Sequence, residues 1–122
     1  MNGICIRMTL RSMQEPTLLL LTALADAPRH GYALIQEVAA LSDGRVKMRT
    51  STLYSALDRL LQQGLIEVER DEVIDGRARR TYALADAGRD TLAAEADRLR
   101  AVVAEADRRL RTTRPTARGA LA

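Results

Sequence analysis

The chain has 122 residues, a formal net charge of +3, 47% hydrophobic and 29% charged residues, the balance of one soluble globular domain with a modest core. Its single cysteine, Cys5, excludes an intramolecular disulfide, and one cysteine with one histidine is too few ligands for a metal site within one chain. Three Tyr with no Phe or Trp leave the core to Leu, Val, Ile and Ala. So small a charge does not mark a nucleic-acid partner, so the placement of the arginines must.

Residues 1–13 alternate Ile4, Ile6, Met8 and Leu10 with Cys5, Arg7, Thr9 and Arg11. That is the period of a strand. It is equally the look of upstream sequence ahead of a later start at Met8 or Met13, and a mobile extension is the favoured reading. No apolar segment with a cleavage site marks a secretion signal. Pro16 suits the first turn of a helix, which Leu18, Leu19, Leu20, Leu21, Leu24 and Ala25 make apolar on most sides. Such a helix must be buried in the core or against a partner subunit. The run is far short of a membrane span, so a cytoplasmic location is the default.

Asp26-Ala27-Pro28 ends that helix, and the next runs from His30-Gly31 to about Leu41, with Leu34, Ile35, Val38 and Leu41 facing inward. A lone His30 could be a ligand or a pH sensor; a local cap or packing residue is the expected role. Ser42-Asp43-Gly44 closes the helix, and a loop over Ser42–Thr50 leads to the third. There Leu53, Leu57, Leu60 and Leu61 share one helical face. Thr50, Ser51 and Thr52 offer oxygens for the N-cap, and Gln63-Gly64 supplies the stop. The opposite face, Thr52, Ser55, Ala56, Arg59 and Gln62, is small and hydrogen-bonding. It suits close approach to a groove, and taken alone reads equally well as a solvated surface.

Leu65, Glu67 and Glu69 then alternate with Ile66, Val68 and Arg70, Asp75-Gly76 is a turn dipeptide, and Tyr82 and Leu84 resume the alternation. Between them Arg77, Arg79 and Arg80 sit on what reads as a short basic loop. An anionic partner would offset their repulsion. Screening by Asp71, Glu72 and Asp75 is the alternative, and the partner is favoured. A last helix is expected over about Asp86–Arg111. Leu92, Ala96, Leu99, Val103, Ala106 and Leu110 form a heptad seam, flanked by Glu95 with Arg98, Glu105 with Arg108 and Arg109, and Asp107 with Arg111. A seam this long exceeds what a small domain can cover and points to a second copy of the helix; folding back on its own domain is the alternative. The tail over 112–122 has no periodicity and reads as disordered.

The HGY of His30-Gly31-Tyr32, the TLYSAL of Thr52–Leu57, the QGLIEVE of Gln63–Glu69 and the RRTYALADAG of Arg79–Gly88 together resemble the PadR family of transcriptional regulators, over about Glu15–Leu110. The resemblance implies a winged helix-turn-helix domain with a C-terminal dimerisation helix, usually acting as a repressor, and DNA release by a small molecule at the dimer interface or by a change of partner. Ser55 stands where many members carry proline. Ala85 stands where many carry a capping threonine, a role Asp86 can take over.

The expected fold is therefore mainly α with a β-hairpin: an extension over 1–13, a winged helix-turn-helix domain over 14–85, a dimerisation helix over 86–111 and a tail. The expected function is sequence-specific binding of double-stranded DNA by a homodimer on a palindromic site. Thr52, Tyr54, Ser55 and Arg59 are expected near the groove. Arg49 and the backbone at Thr50–Ser51 should hold phosphates, and Arg77, Arg79 and Arg80 phosphate or the flanking minor groove. Tyr54 is double-edged, its ring suited to the core and its hydroxyl to a phosphate. No nucleophile–base arrangement or Gly-rich phosphate loop suggests an enzyme, and no cofactor is implied. A winged-helix module that binds protein is the alternative, to be recognised by apolar residues on the wing.

Overall fold

A computed structural model describes residues 13–121, with side chains to residue 112; the expected extension over 1–12, Cys5 included, lies outside the described residues. The chain divides into two compact units, residues 1–92 and 93–122. The first contains α1 (Glu15–Ala25), β1 (Arg29–His30), α2 (Gly31–Leu41), α3 (Thr50–Gln62), β2 (Ile66–Ile74) and β3 (Arg77–Leu84). Helix α4 (Asp86–Leu121) begins in this unit, and its remainder is the second.

The core of the first unit is aliphatic. Leu20, Leu21, Leu34, Val38, Leu53, Leu57 and Leu60 are fully buried, and Tyr82 is the one aromatic among them. Burying each such leucine contributes about 1.5–3 kcal/mol, so the three helices are held by their inward stripes. Met13 also packs against this core, so the domain reaches back to the residue assigned to the extension. Pro16 lies in the first turn of α1, as its fixed φ favours.

Helix α2 is capped by His30, whose Nδ1 accepts from the Ala33 N–H at 3.4 Å. At its far end Gly44 N–H donates to Ala39 and Asp43 N–H to Ala40, the paired bonds of a Schellman turn, with Asp43 in the left-handed region at φ 58°. Buried Ser42 donates to the Val38 carbonyl at 2.9 Å and accepts from the Val46 N–H at 2.9 Å, fixing the loop into α3. Leu41, expected inward, is 44% exposed. It is the last helical residue, and the inward contacts pass to Val46 and Met48 in the loop that follows.

Two expectations for α3 are corrected. Its N-cap is Arg49, in an extended conformation and without a side-chain cap bond; Thr50, Ser51 and Thr52 lie inside the first turn and are exposed. Ala56, assigned to the outer face, is 6% exposed. It lies three residues after Leu53 and four before Leu60, within the leucine stripe. The end is as expected: Leu65 N–H donates to Leu60 and Gly64 N–H to Leu61, with Gly64 at φ 75°.

The sheet has the order β1-β3-β2, antiparallel throughout. Strand β1 pairs Arg29 with Tyr82 and His30 with Thr81; two residues are too few to carry a visible alternation. The hairpin closes on Asp75 and Gly76 alone, at φ 54° and 76°, the two left-handed positions of a type I′ turn. Arg77, Arg79 and Arg80 are therefore not on a loop. They lie in β3, opposite Ile74, Glu72 and Asp71. Strand β2 is correspondingly long and carries an irregularity between Val68 and Arg70, as a bulge at Glu69 would give.

Helix α4 starts at Asp86, so Asp86 does not cap. It occupies the first turn, where its carboxylate favours the positive end of the helix. The start is fixed by backbone instead: Ala85 N–H donates to the Leu65 carbonyl at 3.0 Å. At Gly88 a Cβ would collide with that same carbonyl, so only glycine lets the helix lie this close. The helical backbone continues past Arg111 to Leu121, where an irregular tail was expected. Leu92, the first residue of the expected seam, packs against the core of the first unit.

Candidate nucleic-acid interface

Helix α3 presents an outer surface of short polar side chains because its leucines are all turned in. Thr50, Ser51, Thr52, Tyr54, Ser55 and Arg59 are all exposed. The first-turn N–H groups have no side-chain cap, so the positive end of the helix dipole and its donors face outward together. Arg49 sits at that end.

Tyr54 joins this helix to the wing. Its side chain lies over Gly31, where a Cβ would collide with the phenol oxygen. This close approach ties the HGY motif to the LY of α3, since any larger residue at position 31 would push the tyrosine away. Tyr54, Gly31, His30 and Tyr32 then form one wall of a cleft of about 700 Å³, and Arg77, Arg79, Arg80 and Ile74 line the other. Three of the sequence-predicted arginines are thus brought together with one predicted α3 residue.

The wing arginines differ in what they touch. Arg80 donates to Asp71 at 2.9 Å, and that contact is what chiefly holds its guanidinium pKa above the ordinary value. The expected carboxylate screening therefore applies to Arg80. Arg79 instead places Nη2 3.3 Å from His30 Nε2. Burial, followed by the Arg79 charge, holds the His30 imidazole below its ordinary pKa. Arg77 is exposed beside the turn. Tyr82 lies beneath the strand, its phenol pushed up mainly by burial.

Arg59 is not turned toward this cleft. Its Nη2 donates to Thr17 Oγ1 of α1 at 3.2 Å, and Arg45 of the preceding loop forms a two-pronged pair with Glu15 at 2.9 and 2.6 Å. Both contacts pin the start of α1 to the helix-turn-helix. Sequence reasoning missed His30 and Tyr32 as cleft residues. Their motif was visible, but nothing along the chain reports that β1 sets them beside β3.

In the second unit, Val103, Ala106 and Leu110 of the expected seam are exposed, and Ala96 and Leu99 are partly buried. Val102, not in the expected seam, is 54% exposed and widens the apolar face. Glu105 accepts from Arg108 and Arg109, as their spacing implies. Among the described residues no three His, Cys, Asp or Glu side chains gather as a metal ion would need, and no helix is long and apolar enough to cross a membrane.

A helix, a two-residue strand, two further helices and a hairpin in this order define a winged helix-turn-helix protein. The chain belongs to the PadR-like family of transcriptional regulators, whose family model matches residues 20–94. It is 44% identical over 68 residues to Transcriptional regulator Rv3488 of Mycobacterium tuberculosis, a match covering 56% of this chain and 60% of that one. The chain spans 60% and 65% of the length of two curated relatives it matches. Among solved structures it is similar to a PadR family transcription regulator from Clostridium difficile R20291, at 20% identity and a TM-score of 0.66, covering 80% of this chain and 99% of that one. It is also similar to Bacillus subtilis PadR in complex with operator DNA, at 20% identity and a TM-score of 0.58, covering 65% of this chain and 46% of that one. The family is one of transcription regulators, not of enzymes.

Proposed function

We propose that the protein is a repressor that binds a palindromic operator as a homodimer. The observation that carries this reading is the shared cleft, which sets the arginines of β3 beside Tyr54 on α3. A duplex lying against it would present base edges to α3 and phosphates to the arginines. Thr52, Tyr54 and Ser55 would face the major groove. Arg49 and the uncapped amides of Thr50 and Ser51 would hold phosphates, and Arg77, Arg79 and Arg80 the backbone beside the wing. Arg59 would join them only by leaving Thr17.

The exposed Val102, Val103 and Leu110 support a second copy of α4 as the dimer partner, since such a stripe is costly to leave in water. A two-fold dimer would set two α3 helices about 34 Å apart, one turn of DNA. Release by a small molecule at that interface is implied by the family resemblance, and the chain offers no Trp or Phe on which a flat ligand could stack.

One observation favours the protein-binding alternative: Val73 is 72% and Ile74 38% exposed near the wing tip. Selection of bound duplexes from a random DNA library decides between them. A recovered palindrome supports the repressor dimer; no enrichment, with the protein folded, transfers the wing to a protein partner.

A further inference from the structure

The cleft contains a hydrogen-bond conflict centred on His30. Its Nδ1 accepts from the Ala33 N–H at 3.4 Å, and its Nε2 lies 3.3 Å from Arg79 Nη2. A neutral imidazole has one acceptor nitrogen and one N–H, whereas the amide and the guanidinium are both donors. If Nδ1 caps α2, Nε2–H points at a guanidinium N–H. If Nε2 accepts from Arg79, Nδ1–H points at the Ala33 amide. Protonation makes both nitrogens donors and sets a second positive charge beside Arg79. No state of the ring alone satisfies both neighbours.

An acceptor placed between Nε2–H and Nη2 removes the conflict. The ring then keeps its cap, and both donors converge on one group. Two donors this close suit an oxyanion with several oxygens. The surroundings select the same chemistry, since Arg77, Arg80 and the phenols of Tyr32 and Tyr54 line the cleft. We propose that His30 and Arg79 form a two-donor clamp for one phosphate group of the DNA backbone, with the α2 cap holding the proton on Nε2. This rests on the DNA-binding reading above and adds to it a contact and a regulatory consequence.

The consequence is proton uptake. The imidazole is held low in the unbound protein by burial and by Arg79. A bound phosphate favours the charged ring, and the added proton goes to Nδ1, which gives up the Ala33 cap, so the His30 pKa rises on binding by what the phosphate contributes beyond that lost bond. Affinity should then increase as pH falls through the window between the unbound and bound values. The other charged or titratable groups around the ring are Glu72 opposite Arg79, Asp75, Arg77, Arg80, Tyr32 and Tyr54 in the cleft, and Arg29 of β1 paired with Glu37 of α2. None of them is an imidazole.

His30 is the only histidine in the chain, so its ring resonances are identified without assignment of the rest. The test follows the imidazole signals of the full chain by NMR from about pH 8 to about pH 5, for the protein alone, with random-sequence duplex DNA and with inorganic phosphate. Duplex DNA should raise the His30 pKa by roughly one unit, equivalent to at most about tenfold tighter binding at the acid end. Arg79→Gln should reduce that rise, and His30→Asn, which retains a capping oxygen, should flatten the pH dependence of affinity. If duplex binds and the imidazole titration does not move, the clamp is overturned while the DNA-binding reading stands. If no duplex binds, that reading falls: a rise with inorganic phosphate alone then assigns the donors to a free phosphate ligand and overturns the backbone contact. A titration that moves with neither ligand overturns the clamp altogether.

Discussion

Helices α3 and α4 are both amphipathic, and they use their apolar faces differently. Helix α3 buries Leu53, Leu57 and Leu60 completely and ends in a closed Schellman turn. Helix α4 leaves Val102, Val103 and Leu110 at 54%, 57% and 61% exposure and carries local pairs of Glu95 with Arg98 and of Glu105 with Arg108 and Arg109. Local pairs of this kind contribute only about 0.2–0.5 kcal/mol each. One helix is therefore held by the domain it belongs to. The apolar side of the other is exposed in the single chain.

The largest expected effect separates the two directly. Leu57→Ala should destabilise the domain by about 2–5 kcal/mol, the cost of lost burial and a cavity, at any protein concentration. Val103→Ala should change the unfolding of dilute protein very little. Denaturant melts of both variants at several concentrations check this. Equal losses in dilute protein would mean that Val103 is already covered within the chain, and the contrast would disappear.

The next effect is on assembly. Val103→Glu places a carboxylate in the middle of the proposed contact, where its desolvation is unfavourable. Because Val103 is exposed in the single chain, the fold of the domain should persist. Sedimentation at micromolar concentration should show monomer with an unchanged circular-dichroism spectrum per residue. A dimer of unchanged affinity would remove α4 from the interface.

A third effect concerns the wing. Arg79→Ala should weaken binding to all DNA sequences and reduce the slope of log affinity against log salt by about 0.9, one phosphate contact. Arg80→Ala should do less, because Arg80 must first give up Asp71. A salt titration of each variant on scrambled duplex measures both slopes. Equal slopes would show that the Asp71 pair does not hold Arg80 back.

The sequence made one side of this contrast easier to see than the other. The leucine stripe of α3, the Gln63-Gly64 stop and the Asp75-Gly76 turn follow from local periodicity and glycine chemistry, and each appears where the residues place it. What local pattern could not reveal depends on contacts between distant segments. Strand β1 exists only because Arg29 and His30 pair with β3. The arginines lie in a strand because the type I′ turn consumes just two residues. The start of α4 is set by the Leu65 carbonyl, twenty residues upstream of Ala85, rather than by a capping side chain. The family motifs carried this long-range information in coded form. Gly31 is small to admit Tyr54, and Gly88 is small to admit the Leu65 carbonyl.

The smallest expected effect repeats the contrast in acid. Glu15 is held below its ordinary pKa first by its hydrogen bonds from Arg45, and Glu105 first by those from Arg108, then from Arg109. A carboxylate whose folded pKa is depressed contributes stability above its unfolded value, and loses it as pH falls through the folded value. For both residues the loss therefore begins below about the ordinary 4.5 and is complete once each carboxyl is protonated in the folded chain. Both pairs are solvent-exposed and screened, so each contribution is small. Their reach differs. Glu15 and Arg45 are 30 residues apart, so this pair ties α1 to the loop before α3 and acts on the cooperative unfolding of the domain. Glu105 and its arginines are neighbours on one helix and act only on the local order of α4. Glu15→Gln should slightly lower the melting temperature at neutral pH and remove part of its decline in acid. Glu105→Gln should leave that melt unchanged and speed amide hydrogen exchange around residues 101–109. An effect of Glu105→Gln on the domain melt as large as that of Glu15→Gln would show that the two units unfold as one.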